Sequence, residues 1–253
     1  MKFIILGCGS SMGVPRSDGF FGACDPKEKK NYRTRCSALL TDNKFNILID
    51  TSPDLRNQLI KNKIKNINKV LYTHNHADQT HGINDLRVFY LLQKKTVNIY
   101  SNSYTANYLK KSFAYCFEKN HDYPQILKLN IVKKKMVFNK SIRIQSISVK
   151  HGRINSLAYI FNKKLAYAPD LNKIYTKDLN HFKNLEFFVI DCLRYKKHPS
   201  HFNLNDVLEL NKILKPKKMI LTNLHSDFDY KSLKNNIPKN FDVAYDGMEI
   251  KLS

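Results

Sequence analysis

No stretch of this chain stays apolar long enough to cross a bilayer. Its apolar runs, such as Phe3-Ile4-Ile5-Leu6 and Phe187-Phe188-Val189-Ile190, fall far short of the roughly 20 residues that a spanning helix needs. The first residues carry neither the apolar core nor the cleavage site of a secretory signal, so a cytoplasmic location is expected and no membrane partner. Cysteine is sparse: Cys8, Cys24, Cys36, Cys116 and Cys192 are odd in number and contain no C-x-x-C pair. That argues against a disulfide framework and a cysteine zinc knuckle, and leaves small buried or half-buried thiols as the expected role. No Gly-, Ser- or Pro-rich linker interrupts the chain and no repeat is visible, so one domain spanning residues 1–253 is expected.

Acidic residues are also scarce, 21 against 43 basic ones, for a formal charge of +22. Such a balance suits a polyanion, but only eight of the basic residues are arginine. Nucleic-acid readers favour arginine for its bidentate fork. Lysine here is scattered through the whole sequence, as a compositional bias would leave it. A nucleic-acid partner is therefore possible but not favoured. With 42% hydrophobic residues, the 253-residue chain can bury a substantial core.

The stretch richest in chemistry is Thr73-His74-Asn75-His76-Ala77-Asp78-Gln79-Thr80-His81-Gly82, directly after the apolar Val70-Leu71-Tyr72. In extended chain, residues i and i+2 point the same way, so His74 and His76 can reach one point and Asp78 continues the series. Imidazole nitrogens with a carboxylate oxygen are the donor set of a zinc- or manganese-like ion. The plain alternative is a solvated loop, but ligand types repeating at i, i+2 and i+4 favour a metal site.

Around this stretch the pattern alternates strands and helices. Lys2 to Leu6 reads as a strand entering Gly7-Cys8-Gly9. A nucleotide-binding turn is refused there because Pro15 and a loop follow instead of a helix. The small residues instead suggest close approach of the backbone to a ligand. Ser37 to Thr41 and Phe45 to Asp50 read as a hairpin, Asp54 to Asn62 as a helix and Lys69 to Thr73 as the strand delivering the histidines. A helix from Gly82, a strand at Val97 to Tyr100 and a helix over Tyr104 to Phe117 follow. Strands then come at Ile126 to Val132, Lys135 to Phe138, Ile142 to Val149, Ser156 to Phe161, Leu165 to Ala168 and Phe187 to Ile190. A helix at Asn205 to Leu214, a strand at Met219 to Leu221, a short helix near Tyr230 and C-terminal strands complete the order. The class is α/β, and two mixed sheets with helices outside fit it.

Further ligand types stand at strand exits: His151 before Gly152, Asp170 after Pro169, and His225 after Leu221-Thr222. His201 lies in the loop His198-Pro199-Ser200-His201, where a proton-transfer residue could reach a site. His121 and His181 have no such context and read as surface or packing residues.

These pieces together resemble the metallo-β-lactamase superfamily, in the branch of phosphoribosyl cyclic phosphate phosphodiesterases, with tRNase Z more distant. The likeness runs from Leu6-Gly7-Cys8-Gly9-Ser10-Ser11-Met12-Gly13-Val14-Pro15 through Ile49-Asp50-Thr51-Ser52-Pro53-Asp54, the His-x-His-x-Asp core and Leu221-Thr222-Asn223-Leu224-His225 to Ala244-Tyr245-Asp246-Gly247-Met248. The resemblance implies a four-layer αββα sandwich and one or two divalent ions, zinc or manganese. It implies that His74, His76 and His151 bind the first ion, that Asp170 bridges, that Asp78 binds the second, and that the buried Asp50 supports the site. It also implies attack by hydroxide formed on the ion, oriented by Asp78, with His201 as general acid and a small phosphodiester, cyclic or linear, as substrate. RNA processing, or a silent metal- or polyanion-binding module, is the alternative. Two departures stand out, Gln79 and Asn223, each where the family places a histidine. His81 and His225, two residues beyond, are expected to take over those places, against the competing case of one ion and a weak or empty second position. Relatives with a structural zinc carry several cysteines after the Gly-rich start. Only Cys24 stands there, so no such zinc is expected.

Overall fold

The computed structural model describes residues 1–119 and 123–252. His121 lies outside the described residues. The chain forms two compact units, and among the described residues each contains one seven-stranded mixed sheet.

The first unit takes Met1–Leu6, Ser37–Val132 and the last residues from Gly247. Its elements are β1 (Lys2–Gly7), β2 (Ser37–Asp42), β3 (Phe45–Ile49), α1 (Leu55–Lys61), β4 (Lys69–Leu71), α2 (Ala77–Thr80), α3 (Arg87–Gln93), β5 (Val97–Ser101), α4 (Ser103–Ser112), α5 (Ala114–Phe117) and β6 (Leu127–Ile131), with a C-terminal strand at Met248–Lys251. The sheet runs C-terminal strand, β1, β2, β3, β4, β5, β6. β2 and β3 form the expected hairpin, while β3, β4, β5 and β6 are parallel to one another. Parallel strands covered on both faces read as continuous apolar runs; Ile47, Leu48 and Ile49 are fully buried. Leu55 and Leu59 of α1, Phe89 of α3 and Leu109 of α4 pack with Leu48, Val70 and Ile99 into one core.

Two helices differ from expectation. The segment after Gly82 begins as a 3₁₀ turn, Ile83–Leu86, before α3. The expected helix over Tyr104 to Phe117 is broken at Phe113, whose φ of −131° and ψ of 40° leave helical space. Its ring packs edge-on against His81 and Tyr108, a tertiary contact that outweighs the local propensity to continue.

The second unit takes Gly7–Cys36 and Lys133–Asp246. It contains β7 (Lys135–Phe138), β8 (Ile142–His151), β9 (Ile154–Phe161), β10 (Leu165–Ala168), β11 (Phe187–Asp191), α6 (Leu204–Leu214), β12 (Lys218–Thr222), α7 (Tyr230–Asn236) and β13 (Phe241–Val243). The sheet runs β13, β12, β11, β10, β9, β8, β7. β7 to β10 pair antiparallel in sequence, and β10 to β13 are parallel. α6 starts in a capping box, Asn203 accepting from Asp206 N while Asp206 accepts from Asn203 N, an arrangement worth about 1 kcal/mol. Val207 and Leu214 of α6 pack on Phe188, Ile190 and Leu221.

At Gly9 the close approach is to the chain's own backbone. Gly9 N donates to Thr34 O at 2.8 Å, and a Cβ on Gly9 would lie 2.7 Å from Arg33 O. The glycine there admits the chain's own backbone. All five cysteines are buried thiols, and among the described residues no helix is long and apolar enough to cross a membrane.

Parallel order matters for function, because ligands of α/β sheets gather at the carboxyl ends of parallel strands. Asp50 follows β3 and His74 lies just past β4; Asp170 follows β10, Asp191 ends β11 and Asn223 follows β12.

Candidate metal centre

In the first unit, Asp50 is fully buried with φ at 61°. Its Oδ1 accepts from Thr73 N at 2.7 Å and its Oδ2 from Thr73 Oγ1 at 2.9 Å. The same hydroxyl lies 3.1 Å from His74 Nδ1. Thr73 has one hydroxyl proton and gives it to the carboxylate, so it receives the Nδ1 proton of His74. That relay leaves the Nε2 lone pair of a buried imidazole for a ligand, the arrangement that orients metal-binding histidines. Burial holds the Asp50 carboxyl well above the usual range, the Thr73 bonds opposing this and the Asp78 charge adding to it. The His76 ring stands edge-on to His74, centroids 4.4 Å apart. Asp78, half-buried, accepts from Gln79 Nε2 at 3.2 Å. Gln79, standing where the resemblance implies a histidine, therefore grips the neighbouring carboxylate. His81 is exposed, with Nε2 3.1 Å from Tyr108 Oη.

In the second unit, His151 closes β8 and is 2% exposed. Its Nδ1 lies 2.7 Å from Ser200 O; a carbonyl only accepts, so Nδ1 carries the proton and Nε2 again keeps its lone pair. Gly152 makes this contact possible, since a Cβ there would lie 2.8 Å from Ser200 Cβ and its φ is +57°. Ligand atoms of His151, Asp170 and His201 lie within 4.8 Å of one another. His201 Nδ1 is 2.7 Å from Asp191 Oδ2 and 3.9 Å from Asp170 Oδ1. Asn223, at a φ of 61°, places Nδ2 3.4 Å from Asp170 Oδ1 and 3.1 Å from Asp191 Oδ1. His198 packs on His201 at 5.0 Å and accepts from Ser200 N through Nδ1; burial lowers its pKa. His225 directs Nδ1 to Asp227, 3.1 Å from Oδ1. His181 is an exposed residue at the end of a 3₁₀ turn.

The donors fit a divalent cation: His74 and His76 converge in the first unit and His151, Asp170 and His201 in the second, and both buried histidines present the tautomer that ligation needs. The profile of the beta-lactamase superfamily domain matches residues 45–223. The chain belongs to the metallo-β-lactamase superfamily. Members of this superfamily are metal-dependent hydrolases, and the expected fold class holds. A diphosphatase of the PhnP family superposes with a TM-score of 0.89 at 27% identity, covering 100% of this chain and 98% of that one. The short form of human tRNase Z superposes at 0.73 with 15% identity over both full chains, a likeness of fold alone. An octanoyltransferase of Porphyromonas gingivalis is 30% identical over 98% of this chain and 51% of its own length. The chain thus spans about half the length of that curated relative.

Asp191 and Asn223 are the site residues that sequence reasoning left without a role. A signal for Asp191 existed. Like Asp50 after Ile47-Leu48-Ile49, it ends a buried apolar run, Phe188-Val189-Ile190, and a carboxylate placed there needs a partner.

Proposed function

We propose that this chain is a metal-dependent phosphodiesterase acting on a small phosphodiester, cyclic or linear. The donors that would hold a divalent ion, zinc or manganese, are His74 and His76 of the first unit and His151 and Asp170 of the second. The observation that carries this reading is the pair of oxygen acceptors, Thr73 Oγ1 and Ser200 O, that fix the Nδ1 protons of His74 and His151. Both bonds turn Nε2 toward a ligand. When bound, such an ion lowers the pKa of a water to about 7 and draws charge from a phosphoryl oxygen. Asp78 orients the attacking water, and the Gln79 amide steadies Asp78. His201 gives its Nε2 proton to the leaving oxygen. The likeness to a PhnP-family diphosphatase supports phosphoryl chemistry.

One tightly held ion is the reading we adopt, in place of a second position rebuilt from His81 and His225. Those two histidines are engaged with Tyr108 and with Asp227. Gln79 and Asn223 meanwhile spend their amides on the carboxylates of Asp78 and Asp170. The test is a screen of zinc- or manganese-loaded protein over cyclic and linear phosphodiesters, with metal counted on the same samples. Turnover of a phosphodiester with one ion per chain supports the reading. No turnover of any phosphodiester removes the activity, and two equally tight ions remove the single-ion assignment.

A further inference from the structure

Asn68, Lys69, Lys95, Asn98 and Lys128 line one pocket of about 480 Å³ in the first unit, a volume within the range of small-ligand sites. It lies at the amino ends of β4, β5 and β6, whereas His74 follows the carboxyl end of β4. The pocket and the metal donors of this unit therefore stand at opposite ends of one sheet. Strand register builds the pocket: Lys69 pairs with Asn98, and Asn98 with Lys128. With neighbouring strands about 4.8 Å apart, the two lysines leave the sheet about 10 Å from each other with an amide between them. Lys95 follows α3, whose last residue, Gln93, gives its amide nitrogen to Ile67 O at 3.0 Å. Among the described residues no carboxylate lines this pocket.

Both amides have a fixed sense. Asn68 Oδ1 accepts from Asn46 N at 2.7 Å; a backbone N–H only donates, so Nδ2 is the end that Asn68 keeps for another partner. Asn130 Nδ2 donates to the carbonyls of Ile99 and Lys128 at 3.2 and 3.1 Å. Its third contact, 3.2 Å to Asn98, therefore falls on Oδ1, and Asn98 likewise keeps its N–H donors. The Lys69 ammonium stands 5.9 Å from the centroid of the Tyr100 ring, over β5. Burial and then the Lys128 charge lower its pKa, a cost of holding like charges together that an anion between them reverses. A compositional excess of lysine scatters charge; it does not turn two amides the same way between three ammonium groups. We infer that this pocket binds a small polyvalent phosphate, either inorganic diphosphate or the diphosphate end of a nucleotide. Lys69, Lys95 and Lys128 match its charge, and the amides of Asn68 and Asn98 donate to its oxygens.

The test is calorimetric titration of the full chain with inorganic diphosphate at about 0.15 M salt, where exposed charges are screened. One saturable equivalent is expected, bound more tightly than inorganic phosphate, which brings less charge to the same three cations. Asn98→Asp keeps the shape and exchanges a donor for a negative charge, so affinity should fall by at least about tenfold. Lys128→Gln, at an exposed position that tolerates change, should also cost about tenfold. Lys177→Gln removes the same charge from the second unit and should bind as the parent does, and so should His74→Ala. Loss of binding in His74→Ala would put the anion on the metal donors. Equal losses in Lys128→Gln and Lys177→Gln would reduce the effect to net charge. Either result, or no saturable binding by the parent, overturns the proposal. Titration with ADP separates the two sources: tighter binding than diphosphate assigns a nucleotide, and equal or weaker binding assigns the free anion.

Discussion

Asp50 in the first unit and Asp191 in the second occupy the same kind of place, the exit of a buried parallel strand, yet they reach their imidazoles differently. Asp50 acts through the Thr73 hydroxyl, one relay away from His74. Asp191 meets His201 Nδ1 directly at 2.7 Å. The relay orients a ring and fixes its tautomer while keeping the carboxyl group at a distance, which suits a neutral imidazole. Direct contact stabilises the imidazolium, which suits a proton donor. A strand-end carboxylate thus meets one imidazole through a hydroxyl and the other directly.

The largest effects should follow from the ligands. His74→Ala and His151→Ala should each abolish metal binding, read by calorimetric titration, and turnover with it. Next comes Asp50→Ala, which strands the Thr73 amide and hydroxyl in the core. Metal affinity should fall by roughly 10–100-fold, and the apo protein should lose about 1–3 kcal/mol in urea unfolding. Thr73→Val keeps the shape and the amide bond but removes the relay. Metal affinity should drop by about 10-fold while the fold and the Thr73 amide bond persist. Unchanged affinity would erase the relay drawn from Asp50 through Thr73 to His74.

The smallest effect on metal should come from Asp246→Asn. Asp246 is a third buried carboxylate, accepting from Cys8 N, Thr34 N and Thr34 Oγ1 and touching no histidine in these bonds. Burial pushes its pKa up to about 6 against those bonds. Because the folded value exceeds the unfolded one, the stability linked to its protonation is present in acid. It is lost as pH rises from the ordinary carboxylate range through about 6, by at most about 3 kcal/mol. Urea midpoints across that window should show the decline in the parent and a flatter profile in the variant, with metal affinity equal in both.

Much of this was readable in the chain. Apolar runs marked the parallel strands, and His74, His76, His151 and Asp170 were marked by their places at strand exits. Residues whose roles depend on chain folding back were not readable. Asp191 acquires its partner ten positions downstream only because the loop carrying His201 returns to Leu171 and Leu193. Ser200 acts through its carbonyl, which no side-chain pattern announces. Asn223 looked like a lost ligand, whereas its amide braces two carboxylates. The break at Phe113 came from ring packing, which periodicity does not encode.

Counting metal by mass spectrometry on the parent protein, His74→Ala and His151→Ala tests the central claim most directly. One ion per chain in the parent and none in either variant is the predicted result. A full equivalent retained by either variant would contradict it.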